Sequence, residues 1–129
     1  MPMGVLKGHA IKAQVLPGDH TYVTSNTGQC WECFGRSSGG SQICQGNGNV
    51  AQADCLSRPK GRQSALWVYA GVVYGVTGVC HQAANRILFP AQELVFGATG
   101  FPGSVFAWGV YGKGHWPELW QCILTHNHP

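Results

Sequence analysis

The chain has 129 residues, of which 44% are hydrophobic and only 10% charged, and its formal net charge is +3. This composition excludes a disordered chain, and the length fits one domain, residues 1–129, better than two. No apolar run approaches the roughly 18 residues of a membrane-spanning helix, so we expect no stable membrane insertion. Basic residues are scattered, with one local cluster at 58–62, and this pattern argues against nucleic-acid binding.

Two strands are predicted near the start of the chain, and each carries one histidine. The first covers residues 7–15 with His9 near its start, a Pro-Gly-Asp turn follows at 17–19, and the second covers residues 20–25, beginning with His20. Side chains alternate between the two faces of a strand. Both imidazoles can therefore point toward the same neighbouring element, and a helix packed across this hairpin would meet them.

The middle of the chain is rich in glycine, and four of the six cysteines lie at 30–55. Turn-forming residues at 35–61 predict a long loop, with a short helical segment at 50–56. The chain has six cysteines, more than cytosolic proteins usually carry, which favours an oxidising destination. A Cys33–Cys55 crosslink would constrain the loop most, although the pairing does not follow from the sequence.

A zinc site is an alternative use of the same cysteines. Cys30 and Cys33 have the spacing of a zinc knuckle, and Cys122 with His126 would supply the other two ligands.

The most informative segment lies after an apolar run at 66–76, which predicts a buried strand. Apolar residues then recur at helical spacing from Cys80 to Leu88, with Thr77 as the expected N-cap and Pro90 as the stop. A thiol in the first turn of a helix is stabilised as a thiolate by free N–H groups and the helix dipole. Cys80 is therefore a candidate nucleophile, and the alternative is a cysteine that serves as a small buried hydrophobe.

Beyond Pro90, a segment at 91–96 leads into a Gly/Pro turn at 97–103, another strand at 104–111 and a short helix at 116–122 that Pro117 opens. These elements together predict an α+β domain with a small antiparallel sheet packed against the cysteine-bearing helix.

The order of these elements resembles the circularly permuted NlpC-type branch of the papain-like superfamily. The resemblance rests on a strand histidine in a Gly-His-Ala-Ile context, a second histidine on the following strand, and a later cysteine that opens a helix. It implies a small papain-like domain in which Cys80 is the nucleophile, His9 the general base and His20 the residue that orients the base. From the residues themselves, His20 also remains open as the base, and His81 is a further imidazole beside Cys80.

The resemblance implies a cysteine amidase or endopeptidase that cleaves an amide bond in peptidoglycan stem peptides or crosslinks, without a cofactor. It also implies an antibacterial toxin that is secreted or delivered to the periplasm and is inhibited by an immunity protein. The N-terminal residues lack the apolar stretch of a classical signal peptide. The alternatives are a lipid or acyl-group transferase with the same triad, and a non-catalytic binding module stabilised by disulfides or zinc.

Overall fold

A computed structural model of the chain describes residues 3–13, 18–32, 38–58, 68–70, 72–113 and 116–125. The strands are β1 (Met3–Lys12), β2 (Asp19–Ser25), β3 (Cys30–Glu32), β4 (Ser41–Asn49), β5 (Val68–Tyr69) and β6 (Val72–Val73). The helices are α1 (Val50–Ser57), α2 (Cys80–Leu88), α3 (Phe101–Trp108) and α4 (Trp116–Thr125), and a short 3₁₀ helix, Phe89–Ala91, follows α2.

Four of the strands form one sheet in the order β3-β2-β1-β4, and every neighbouring pair in it is antiparallel. The α+β class is therefore confirmed, and so is the N-terminal hairpin with its two histidines. The register pairs His9 with Tyr22 and Ile11 with His20. Paired residues project from the same face of a sheet, so both histidines lie on one face, as the alternation predicts.

Helix α2 packs on the other face of this sheet. Leu6 of β1, Val23 of β2 and Trp31 of β3 belong to the same buried cluster as the apolar side of α2. That side consists of the residues predicted from helical spacing: Cys80, Ala83, Ala84, Ile87 and Leu88. We call this covered face of the sheet the inner face and the opposite one the outer face.

The polar side of α2 is buried as well, and backbone carbonyl groups accept the hydrogen bonds of its side chains. The amide of Gln82 donates to the Gly109 carbonyl, and the amide of Asn85 donates to the Val110 carbonyl, each at 2.9 Å. Arg86 donates to the carbonyls of residues 70, 111 and 113. All nine residues of α2 are therefore buried without leaving these polar side chains unpaired.

Strand β4 corrects the prediction of a long loop at 35–61, which is wrong for residues 41–49. The glycines of β4 allow the chain that leaves α2 to pass directly over the strand. A Cβ atom on Gly46 would lie 2.9 Å from the Ala91 carbonyl oxygen, and one on Gly48 would lie 2.9 Å from the Ala91 nitrogen. These glycines indicate a close backbone approach within a sheet rather than a loop. The helical segment predicted at 50–56 is confirmed as α1.

Two strand predictions further along the chain are also wrong. In the described part of the apolar run at 66–76 there are two strands of two residues each, and Ala70 between them has a positive φ of 53° that breaks the extended backbone. The segment predicted as a strand at 104–111 falls largely within α3, where Pro102 in the first turn favours a helix. The short C-terminal helix is confirmed as α4.

A disulfide joins Cys55 of α1 to Cys122 of α4. The expected Cys33–Cys55 crosslink is therefore wrong, and Cys33 itself lies outside the described residues. None of the helices in the described part of the chain is long and apolar enough to cross a membrane.

We predict that Asn85→Ala lowers the free energy of unfolding by about 2–5 kcal/mol, because it leaves the Val110 carbonyl and the Val95 N–H buried without their partner. Urea denaturation measures the change. The matched control is Asn47→Ala on β4, where the side chain is exposed and we expect less than about 0.5 kcal/mol. Equal losses in the two variants would contradict this account of α2.

Candidate active site

Cys80 is the first residue of α2, and its thiol lies at the end of the helix where N–H groups are free. Val79 is the N-cap, and its N–H donates to the side-chain oxygen of Gln82 at 2.9 Å. The expected N-cap, Thr77, instead accepts a hydrogen bond from the Val73 N–H through its hydroxyl at 2.8 Å. The predicted helix and the place of Cys80 in its first turn are confirmed, whereas the predicted cap is wrong by two residues.

The Cys80 side chain is only 5% exposed, and this burial raises the pKa of its thiol. Hydrogen bonds from the backbone N–H groups of Thr21, His81 and Cys80 itself lower the pKa of the thiol, but less than burial raises it. The Thr21 hydroxyl also lies close enough to lower the thiol pKa, but it makes no hydrogen bond of ordinary geometry with any described residue. Cys80 is thus a protonated thiol at neutral pH, surrounded by donors that would stabilise negative charge.

The imidazole of His81 is the basic group beside this thiol. Its Nδ1 lies 3.8 Å from the Cys80 Sγ, and its ring packs edge-on against Phe101 at 5.5 Å between centroids. The side chain is 4% exposed, and its Nε2 is buried without a hydrogen-bond partner among the described residues. Burial lowers the pKa of His81 to about 4, so at neutral pH the ring is uncharged and is a weaker base than an exposed imidazole.

Two charged or titratable groups of β2 also act on His81. The Asp19 carboxylate raises the pKa of His81, whereas His20 lowers it, and both effects are smaller than that of burial. A negative charge near the ring stabilises the imidazolium that forms when His81 takes a proton. His20, itself buried, thus lies within electrostatic reach of the imidazole next to Cys80.

His9 lies on the outer face of the sheet, away from Cys80. Its ring stacks on Tyr22 at 4.8 Å, and its Nε2 is 2.7 Å from the Thr24 hydroxyl. The neighbouring Gly8 points to the inner face, where a Cβ atom would lie 3.2 Å from Leu88 of α2. The expectation that the helix packs across the histidine face is therefore wrong, and the structure does not bring His9 and Cys80 together.

The physical reason for this correction is the burial of apolar side chains. The inner face of the hairpin carries Leu6 and Val23, which are fully buried in one cluster with α2, and Gly8, where the helix approaches closely, whereas His9 and His20 project from the outer face. Burial also lowers the pKa of His9, and the charge of Lys7 adds to this effect. His9 is therefore held on the outer face by its own contacts, separate from the thiol.

A narrow crevice runs beside the thiol between α2 and the sheet. Its walls include Thr21, Trp31, Glu32 and Cys80, and it is too narrow to hold a water molecule. The sequence contains the residues of this site as two doublets, His20-Thr21 and Cys80-His81. Successive side chains of a helix point about 100° apart, so the sequence does not predict that Cys80 and His81 are in contact.

The zinc interpretation loses one of its four ligands, because Cys122 is bonded to Cys55, and both Cys33 and His126 lie outside the described residues. Within the described ranges, no group of three or more His, Cys, Asp or Glu side chains is placed to hold a metal ion. Comparisons of the chain with protein-family models, with curated proteins and with solved structures find no match.

We predict that acid destabilises the fold through His81. A pKa lowered from 6.5 to about 4 means that the unfolded chain binds a proton more readily between these values, so this contribution is complete above pH 6.5 and is lost as the pH falls toward 4. The loss amounts to about 3 kcal/mol at about 1.4 kcal/mol per pKa unit. Urea unfolding at pH 7 and pH 4 should show a smaller acid loss in His81→Gln than in the unmodified chain. Equal acid losses in both proteins would refute a buried, neutral His81.

Proposed function

We propose that this protein is a cysteine hydrolase that cleaves an amide bond in peptidoglycan stem peptides or crosslinks. The observation that carries the cysteine chemistry is the pair formed by the Cys80 thiol and the His81 imidazole, 3.8 Å apart at the start of α2. A thiol, an adjacent base and N–H donors at a helix start are the groups that nucleophilic cysteine catalysis requires. The peptidoglycan substrate rests on the resemblance of this order of histidine strands and cysteine helix to the circularly permuted NlpC-type branch.

In the proposed reaction, His81 Nδ1 takes the thiol proton and the Cys80 sulfur attacks the amide carbonyl carbon. N–H groups at the start of α2 stabilise the negative oxygen that forms. The imidazolium returns its proton to the leaving amine, which leaves a thioester on Cys80. His81 then takes a proton from a water molecule, which hydrolyses the thioester and releases the acid and the free thiol.

His81 takes the role of base in this proposal, because His9 is on the other face of the sheet. The carboxylate of Asp19 favours the imidazolium that the first step creates, since its charge raises the pKa of His81. His20 projects from the outer face of the sheet, and its electrostatic effect lowers the pKa of His81, which opposes the imidazolium. The proposal therefore gives it no role in orienting the base, and of the three residues expected from the sequence it keeps Cys80.

We further propose that the protein acts outside the bacterial cytoplasm, secreted or delivered to the periplasm, as a toxin that an immunity protein inhibits. The Cys55–Cys122 disulfide supports an oxidising compartment, because disulfides persist there and are rare in the cytosol.

A second candidate is a non-catalytic binding module held together by this disulfide. The burial of Cys80 favours it, because a thiol that is 5% exposed and has a raised pKa also fits a small hydrophobic core residue. Such a module would bind its target without changing it, which separates the two candidates experimentally.

Digestion of purified peptidoglycan, with fragments identified by mass, tests the proposal. We expect the unmodified protein to release new stem-peptide fragments, and Cys80→Ala to release none, because the nucleophile is lost. His81→Gln should lower the rate by about 10²–10⁴-fold, the usual contribution of a general base. His9→Gln is the matched control and should keep nearly the full rate.

The outcomes separate the candidates clearly. An unmodified protein that is folded and binds peptidoglycan without cleaving it would establish the binding module instead. Cleavage that survives Cys80→Ala would refute cysteine catalysis. A rate lost in His9→Gln and retained in His81→Gln would return the role of base to His9.

A further inference from the structure

Residues 96–101, which we call the strap, cover the imidazole of the candidate site. The strap begins after Val95, which is fully buried and donates its N–H to the side-chain oxygen of Asn85 on α2 at 2.9 Å. It ends at Phe101, whose ring is 1% exposed and meets the His81 ring edge-on. These two anchors join the strap to Asn85 in the middle of α2 and to His81 in its first turn.

The middle of the strap is fastened to the sheet by one residue of β2. The Asp19 N–H donates to the Thr99 carbonyl at 2.8 Å, and the Thr99 N–H donates to the Asp19 carboxylate at 2.8 Å. Both bonds lie on the surface segment where Thr99 and Gly100 are exposed. Gly100 has a φ of 94°, a left-handed conformation that suits glycine and lets the chain turn into α3.

The site is closed while the strap is in this position. Cys80 and His81 are 5% and 4% exposed, and the crevice beside the thiol does not admit a water molecule. An amide carbonyl must come within about 3–3.5 Å of the sulfur for attack. Some part of the cover must therefore move before a substrate can react.

The strap is the part of the cover that can move at least cost. Helix α2 is fixed by the hydrogen bonds of Gln82, Asn85 and Arg86 to backbone carbonyls. In the strap, Phe96 (57%), Gly97, Thr99 and Gly100 are exposed, and the segment is held to the sheet through surface hydrogen bonds, whereas Ala98 (3%) and Phe101 (1%) are buried and must be withdrawn for it to open. Exposed segments open at lower free energy than a helix that is buried on all sides.

We propose that the strap is an autoinhibitory cover, which keeps the His81 side of the Cys80–His81 pair inaccessible until it detaches from Asp19 and withdraws Phe101 from His81. The inference rests on the proposed function for its biological meaning, because a cover matters only where a substrate must enter. The opening itself is a property of the fold, and accessibility of the thiol measures it without any substrate.

The test is the rate at which iodoacetamide alkylates Cys80, followed by peptide mass mapping of the disulfide-intact protein. We expect Phe101→Ala to raise this rate about tenfold or more, because alkylation of a covered thiol follows the population of the open form. The His81 ring should also become more exposed, and its pKa, followed by NMR, should rise from about 4 toward 6.5.

Leu56→Ala is the matched control for loss of stability. Leu56 is buried in the separate cluster around the Cys55–Cys122 disulfide, so its truncation weakens the core away from the strap. We expect little change in Cys80 alkylation in this variant. An equal rise in Leu56→Ala and Phe101→Ala, at similar losses of unfolding free energy, would show that general unfolding exposes the thiol and would overturn the proposal.

The hydrogen bond between Asp19 and Thr99 allows a second test, with two variants that leave the core side chains unchanged. Asp19→Ala removes the acceptor for the Thr99 N–H and should raise the alkylation rate severalfold, whereas Asp19→Asn keeps an acceptor oxygen and should stay near the original rate. Unchanged alkylation in both Phe101→Ala and Asp19→Ala would overturn the strap as a cover.

Peptidoglycan digestion by the same variants separates this inference from the proposed function. If Phe101→Ala speeds alkylation of Cys80 but no variant cleaves peptidoglycan, the strap is a cover and the protein is not a hydrolase. Cleavage by a protein whose alkylation does not respond to Phe101→Ala would uphold the hydrolase and reject the strap.

Discussion

The complete burial of α2 is the constraint on which the rest of this structure depends. One side of the helix is apolar and packs on the sheet, while its other side carries Gln82, Asn85 and Arg86. Such polar groups are costly to bury without partners. The chain at residues 109–113 supplies carbonyl groups to all three side chains, and this segment therefore encloses the helix. The helix that carries Cys80 is consequently rigid, and its first turn is held at a fixed place against β2.

The fixed helix determines which groups can meet the thiol. The apolar side of α2 packs on the inner face with Leu6 and Val23, and His9 is left on the other side of the sheet. The partner of the thiol is then His81 of the same helix turn. A buried imidazole and a buried thiol are both neutral at neutral pH, so the pair is proposed to work by proton transfer at the moment of attack.

The sequence predicted the local elements better than their packing. The cysteine helix and the histidine hairpin follow from periodicity and turn signals, which are local properties. The sequence did not predict which face of the hairpin meets the helix, because that choice depends on packing against residues far along the chain. Strand β4 was missed because its glycines allow the close passage of Ala91, a contact between distant segments. A strand was predicted in place of α3 because its apolar residues fit both strand and helix.

The central claim is that Cys80 is the nucleophile of this fold, activated by His81. The most direct measurement is labelling at neutral pH with a stem peptide that carries an electrophilic ketone in place of the scissile amide. The account predicts that this peptide modifies Cys80 stoichiometrically, that excess stem peptide slows the reaction, and that His81→Gln abolishes it. Labelling of Cys44 at the same rate as Cys80, or no labelling of a folded protein, would contradict the account.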